Sequence, residues 1–442
     1  MTTKRTLWKI HNLLGLYIGI LIAVLSISGA FAVFKFDLDR LAAAKLYDVF
    51  PENRSYQLTE SMRQSNKYIQ ETYDGMKLDY IYPPQKPDDP IVFQYMNTYS
   101  REIDELMDFR VLMCHVNPYN SEILGVRRYG TSLSYFLRTL HVRLFDGIYG
   151  RQLVGIFGIF LLASTITGFL IYGNFMRSLS FGAIRKKGLR VIFADWHKLI
   201  GICALFFNLM IAVTGAWLGL QGPLMDWFNI ERPNIYHGEE VISAEEDYAT
   251  AIDLEAVSQR AEQYFPEMIP TMYKPSKNGQ RIVEIFGNIP GFVYESDMQK
   301  LILDKADYSM KFRYNIHKQS FGDKLFFIQE ALHFGDFAGI PMKILYALFG
   351  LTTGFLSISG YYIYLKRNSP SGNPAQPAGI ILKAMLTVAA VILLLWISTQ
   401  WVGAYVTFAV FPLIAYSIIG LFLLKWIFRK LYFRVKKNYD EN

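Results

Sequence analysis

The sequence predicts an α-helical polytopic membrane protein of about six transmembrane helices, with two polar α+β insertions arranged as an internal repeat. Three observations predict it. Hydrophobic residues make up 52% of the 442 and fall in long uninterrupted runs. The 45 Lys and Arg gather beside those runs rather than on one polar face. Four of the seven His stand at matched positions in two halves of the chain. Only 19% of residues are charged, against about 25% in ordinary globular proteins. This excludes a disordered or fibrous chain and argues against a plain soluble enzyme. The net charge of +7 reports membrane topology rather than nucleic-acid affinity. Cys114 and Cys203 alone make no disulfide framework.

Six apolar runs are candidate spans: Leu13–Phe34, Leu153–Tyr172, Leu199–Leu220, Ile344–Leu365, Ile380–Ile397 and Val402–Phe422. Each is close to the ~20 residues that cross a ~30 Å hydrocarbon core. Lys4, Arg5 and Ala30-Phe31-Ala32 have features of a secretory leader. However, the first run spans about 22 residues, longer than a leader's apolar region, and reads as a retained span. Ser398-Thr399-Gln400-Trp401 closes runs five and six into a hairpin. With flanking residues, the spans occupy 1–35, 151–173, 196–221, 342–366, 380–398 and 402–426.

Lys and Arg set the orientation. Lys4, Arg5 and Lys9 precede span one, and Arg177, Arg185, Lys186, Lys187 and Arg190 lie in the 174–195 loop. Lys366 and Arg367 follow span four, ahead of the 367–379 loop. Arg429, Lys430, Arg434, Lys436 and Lys437 belong to the tail. All fall on one side, so both termini are expected in the cytoplasm and residues 36–150 and 222–341 outside.

Both outer segments read as small α+β units. The first has a helical pattern at Leu58–Thr72 and strand-like stretches at Leu78–Tyr82, Ile91–Tyr95 and Phe109–His115. The second has a helix at Leu254–Tyr264 and strands at Arg281–Phe286, Gly291–Glu295 and Leu301–Asp304. Neither carries a nucleophile motif, a phosphate loop or a metal cluster.

The repeat is legible at fixed offsets. From His11, Gly15 stands at +4 and Ser28-Gly29 ends at +18; from His197, Gly201 stands at +4 and Thr214-Gly215 ends at +18. From His141, Arg151 stands at +10, Gly158 at +17, Thr167-Gly168 ends at +27 and Tyr172 is at +31. From His333, Lys343, Gly350, Ser359-Gly360 and Tyr364 occupy the same offsets. His11 and His197 begin spans that leave the cytoplasm. His141 and His333 precede spans that enter from outside, with His141 on a short amphipathic helix near Ser134–Leu144. The 18 residues from His11 to Gly29 correspond to roughly 27 Å of helix, so one His pair belongs to each leaflet.

Two imidazoles at one depth on neighbouring helices suit bis-histidine haem ligation, with neighbouring glycines leaving room for a flat macrocycle. Arg151 and Lys343 are candidates to pair with propionates, or are interfacial anchors. A single His at a membrane edge is more often an interfacial residue. A bare zinc site is less apt, because two His fall short of the ligands it needs. The aromatics Tyr119, Tyr129, Tyr135, Phe136, Tyr236, Phe321, Phe334 and Phe337 are either a ligand platform or domain core and interfacial belt.

Trp8-Lys9-Ile10-His11, Leu140-His141 before Gly150-Arg151, Asp195-Trp196-His197-Lys198 and Leu332-His333-Phe334-Gly335 resemble motifs of the PepSY-associated transmembrane proteins. The resemblance covers about Lys4 to Arg367. It implies that the outer segments are PepSY-like domains and that His11, His197, His141 and His333 ligate two b-type haems. Some relatives are similar to inner-membrane ferric-siderophore reductases. The resemblance therefore implies a di-haem electron-transfer protein of the bacterial inner membrane, surrounded by lipid. Its donor would be a cytoplasmic reductase or a quinol, and it would reduce a ferric siderophore or other ferric chelate in the periplasm. Two alternatives stand beside it. One is an electron carrier for another periplasmic or quinone acceptor. The other is a non-enzymatic anchor whose domains bind a peptide or protein. The sequence contains no Gly-x-Gly-x-x-Gly loop.

Overall fold

A computed structural model describes residues 2–97, 111–145, 147–172, 182–238, 252–275, 281–291, 293 and 298–368. The expected hairpin of spans five and six, with its Trp396, Trp401 and Trp426, lies outside the described residues.

Helices α1 (Thr2–Tyr17) and α2 (Gly19–Ala32) form the first span, bent by 63° at Ile18. Helix α3 (Lys35–Ala42) leads into the polar domain, where α4 (Leu58–Thr72) precedes strands β1 (Met76–Tyr82), β2 (Ile91–Asn97), β3 (Val111–Val116) and β4 (Ile123–Arg128). Helix α5 (Leu133–Arg143) returns the chain to α6 (Gly147–Tyr172), long and apolar enough to cross a membrane. Helices α7 (Leu189–Cys203) and α8 (Leu205–Phe228) follow. Helix α9 (Leu254–Tyr264) then precedes β5 (Ile269–Lys274), β6 (Ile282–Asn288), β7 (Gln299–Asp304) and β8 (Met310–Tyr314). Helices α10 (Phe321–Phe334) and α11 (Gly339–Asn368) close the described chain.

Spans one and three, expected as single runs, are each broken. The breaks fall at Ile18 and Ala204, seven residues after His11 and seven after His197. Gly147 (φ 50°) and Gly339 (φ 64°) take left-handed conformations six residues after His141 and His333. Such positions favour glycine because it has no Cβ to clash there.

The spans pair across the two halves. A Cβ on Gly158 of α6 would lie 2.7 Å from the Ala216 nitrogen of α8. A Cβ on Gly354 of α11 would lie 2.9 Å from Ile27 of α2. Small residues let the backbones approach, the usual device where lipid removes the hydrophobic drive between helices.

The two α+β units share one antiparallel sheet in the order β4-β3-β2-β1-β5-β6-β7-β8. They join where Ile81 of β1 meets Tyr273 of β5. Helices α4 and α9 cover one face, and Met62, Ile69, Phe93, Tyr95, Val257 and Ile285 belong to a single core drawn from both units. The helices are also tied directly, by Thr59 to Glu255. The expected helices match α4 and α9. Strands β4, β5 and β8 were not foreseen, and the Gly291–Glu295 stretch falls mostly outside the described residues.

Asp39 of α3, buried, receives the Arg127 guanidinium from β4 and the Ser134 hydroxyl from α5. This ties the sheet edge to the helix that carries His141. His115 packs on Tyr47 beside this cluster. Burial, and then the Arg127 charge, push its pKa down to about 4.

Candidate functional site

Helix α1 supplies His11 and α7 supplies His197, and their ring centroids lie 6.4 Å apart at 80°. Helices α5 and α10 supply His141 and His333 from their last turns, 6.0 Å apart at 30°. Those helices are capped by the hydroxyls of Ser132 and Ser320 and stop at Leu144 and Gly335, both left-handed. The structure thus brings together both histidine pairs expected from the sequence. His115, His237 and His317 lie elsewhere: under Tyr47, beside Glu231, and in the turn Ile316–Lys318.

Each ring is held in the same manner. His11 Nδ1 lies 3.2 Å from Thr167 Oγ1 and 3.1 Å from the Ser164 carbonyl. His197 Nδ1 lies 2.9 Å from Ser359 Oγ, His333 Nδ1 2.9 Å from Thr214 Oγ1, and His141 Nδ1 2.9 Å from the Leu25 carbonyl. The three hydroxyls already donate backwards along their own helices, to Ala163, Leu356 and Met210. In that arrangement they accept from the imidazoles, which assigns the proton to Nδ1 and leaves Nε2 its lone pair. No Nε2 of the four has a protein partner among the described residues.

Beneath each ring lies the glycine that follows the Ser or Thr. A Cβ on Gly168 would stand 3.1 Å from Cε1 of His11, one on Gly360 3.2 Å from His197, and one on Gly215 3.1 Å from His333. On Gly29 it would stand 2.7 Å from His141. The Ser/Thr-Gly dipeptides are visible in the sequence as repeat marks. Their use as ring seat, and at three of the four as hydrogen-bond partner, is not legible in the sequence, because only packing joins residues 112 to 163 positions apart.

Around His11 and His197 lies a cavity of about 1090 Å³. Gly15 borders it with open space where a Cβ would go, and Gly201 meets only Leu356, at 3.8 Å. Lys4, Arg5, Lys9, Lys198 and Arg367 also line it. Such a site fits a flat macrocycle with anionic arms. A metal–imidazole bond is about 2 Å, and each ring centre lies roughly 1 Å beyond its nitrogen. Two axial rings on one metal therefore set their centroids about 6 Å apart, the separation of both pairs. No group of three or more His, Cys, Asp or Glu among the described residues suits a bare metal ion. Asp195, two residues before His197, is instead engaged by Arg185 at 2.7 Å and Lys198 at 3.6 Å.

The other expected site residues diverge. Arg151 Nε donates to the Leu218 carbonyl at 2.9 Å, whereas Lys343 pairs with Asp37 at 2.6 Å. Among the aromatics, Tyr119, Tyr135 and Phe136 are buried core, while Phe321 and Phe334 are exposed.

Comparison with known proteins bears out the family resemblance. The family model for the PepSY-associated TM region matches residues 8–367. The uncharacterized Pseudomonas aeruginosa protein PA4219 is 28% identical over 252 residues, which cover 53% of this chain and 63% of that protein. The chain thus spans a little under two thirds of that relative's length.

Proposed function

The chain belongs to the PepSY-associated transmembrane family, and on that premise we propose that it is a di-haem electron-transfer protein of the bacterial inner membrane. In this reading it passes electrons from a cytoplasmic reductase or quinol to a periplasmic ferric chelate such as a ferric siderophore, which releases Fe(II). His11 and His197 hold one haem, the inner site; His141 and His333 hold the other, the outer site. Both termini are cytoplasmic, the sheet domain is periplasmic, six helices span the membrane, and the two halves are an internal duplication.

The observation that carries this reading is one arrangement repeated four times: Nδ1 engaged by a hydroxyl or carbonyl, Nε2 without a protein partner among the described residues, and a second imidazole 6.0–6.4 Å away between centroids. When bound, each haem supplies a reversible one-electron iron couple. The protein's share is position and environment. Thr167, Ser359, Thr214 and the Leu25 carbonyl fix tautomer and ring plane and raise ligand basicity. Gly168, Gly360, Gly215 and Gly29 set how close each ring lies to its helix. Lys4, Arg5 and Arg367 offer cations to propionates at the mouth of the inner cavity.

The test is the optical spectrum of the detergent-purified chain before and after reductant, with haem quantified per chain. Two low-spin b-type haems are expected, and ferric siderophores are then tried as acceptors. Absence of haem after expression with adequate haem supply overturns the reading and favours a binding role for the sheet domain.

A further inference from the structure

The deep end of the inner cavity is not the same on its two sides. Asn208 of α8 stands 11 residues after His197, and Thr353 of α11 stands 20 after His333. At the same offsets the other half carries Ile22 and Leu161. All four line the cavity that also holds His11 and His197. One half therefore offers a polar pair where the other offers two aliphatic side chains.

Asn208 and Thr353 are each only 4% exposed. Thr353 Oγ1 and Asn208 Oδ1 lie 2.6 Å apart, and the same hydroxyl is 2.9 Å from the Phe349 carbonyl. That contact occupies one end of the Asn208 amide. The other end has no protein partner among the described residues. An amide in an apolar membrane interior is costly unless both ends are satisfied. Polar groups at such depth default to function. Along the helix, Asn208 lies at most ~16 Å from His197, toward the end of the spans where His333 sits over Gly215.

Resting on the di-haem reading, we infer that Asn208, oriented by Thr353, is a positioning residue of the inner site. Its free amide end makes a hydrogen bond, direct or through one water, to the group held between His11 and His197, and it sets that site's potential apart from the outer one. In a low-dielectric site a single oriented dipole has a large electrostatic effect, and hydrogen bonding and burial are established levers on haem potential. The matched positions alone would give the inner cavity two equivalent sides, with Ile22 matched to residue 208 and Leu161 matched to residue 353. The polar pair breaks that equality on the side of the inner cavity.

The experiment is a redox titration of the full chain followed optically, with each midpoint assigned from His141→Ala and His11→Ala chains that retain one haem each. Asn208→Ile gives this position the residue found at the matched place in the other half. The expected result is two haems per chain, an unchanged outer midpoint and an inner midpoint moved by about 59 mV, a tenfold change in the reduced-to-oxidised ratio for a one-electron couple. Thr353→Val, nearly isosteric, frees the amide and is expected to move the same midpoint if Asn208→Ile does not accumulate. An inner midpoint unmoved in a chain that keeps two haems overturns the inference alone, as does an equal shift of both midpoints. A parent chain without haem overturns this inference and the reading beneath it together.

Discussion

At the inner and the outer pair alike each imidazole rests on a glycine that follows a Ser or Thr, yet the two pairs differ in geometry. At the inner site each Nδ1 reaches the hydroxyl before its seat glycine, His11 sharing that contact with the Ser164 carbonyl, and the rings stand nearly perpendicular at 80°. At the outer site His333 uses the Thr214 hydroxyl, but His141 uses the Leu25 carbonyl, and the rings are within 30° of parallel. Ser28, the matched hydroxyl, donates to that same carbonyl at 3.0 Å. The acceptor for His141 has moved one turn along α2. Sequence symmetry therefore fixes the location of a ligand without fixing the direction of its ring plane, which depends on whichever acceptor takes Nδ1–H.

Removing a ligand breaks the comparison most completely. His11→Ala or His197→Ala is expected to lower haem content from two per chain to one and to spare the outer site. His141→Ala or His333→Ala is expected to do the reverse, read by pyridine haemochrome quantification. Equal partial loss in all four variants would contradict the pairing.

Filling a ring seat should come next. Gly29→Ala places a methyl 2.7 Å from His141, tighter than the 3.2 Å of Gly360→Ala against His197. Overpacking of this kind costs on the order of 1–3 kcal/mol. Gly29→Ala is thus expected to weaken haem retention at the outer site by about tenfold, with a smaller loss at the inner site from Gly360→Ala. Haem transfer to an apo-globin acceptor would measure both, and a larger effect from Gly360→Ala would reverse the ranking.

Acceptor variants sharpen the difference within the outer pair. Among the described residues, Thr214→Val removes the hydrogen-bond partner of His333 Nδ1, and loss of such a contact lowers metal affinity by about tenfold or more. Ser28→Ala leaves the Leu25 carbonyl in place for His141 and should change affinity little. Equal losses from the two variants would mean that the hydroxyl, not the carbonyl, orients His141.

The subtlest difference is electronic. Near-parallel imidazoles act on the same iron d orbital and split the pair, whereas perpendicular ones act on both and leave them close in energy. The His141→Ala chain should therefore retain the more anisotropic low-spin ferric EPR signal, and the His11→Ala chain the more rhombic one. Indistinguishable signals would show that bound haem makes the two ring geometries alike.

Much of this architecture is legible in the residues. Helices α4 and α9 are amphipathic, and α9 begins on an Asp253 side-chain cap, so local chemistry marks them. Strand β5 escapes because Pro270 interrupts it, at a register shift where a missing N–H is tolerated. Strands β4 and β8 are edges whose Arg and Lys residues blur the alternation. The four paired histidines are readable because His is rare and recurs at matched positions. What seats them is not, since the Thr167–His11 contact depends on how α1 meets α6. The union of two α+β units in one sheet is likewise tertiary: it rests on β1 meeting β5 across some 190 residues.

The seating pattern bears on how such a molecule is assembled and where it came from. His11 and His141 rest on Gly168 and Gly29 of their own half, and His197 and His333 on Gly360 and Gly215 of theirs. Each half therefore aims its own two imidazoles, while every pair takes one ring from each half. During synthesis neither site is complete until the second half emerges from the ribosome. Two identical copies of one half, docked about a two-fold axis, would build both sites in full. They could never carry an asparagine on one side of the cavity and an isoleucine on the other. Under the duplication proposed above, one continuous chain lets the two sides of a single pocket diverge.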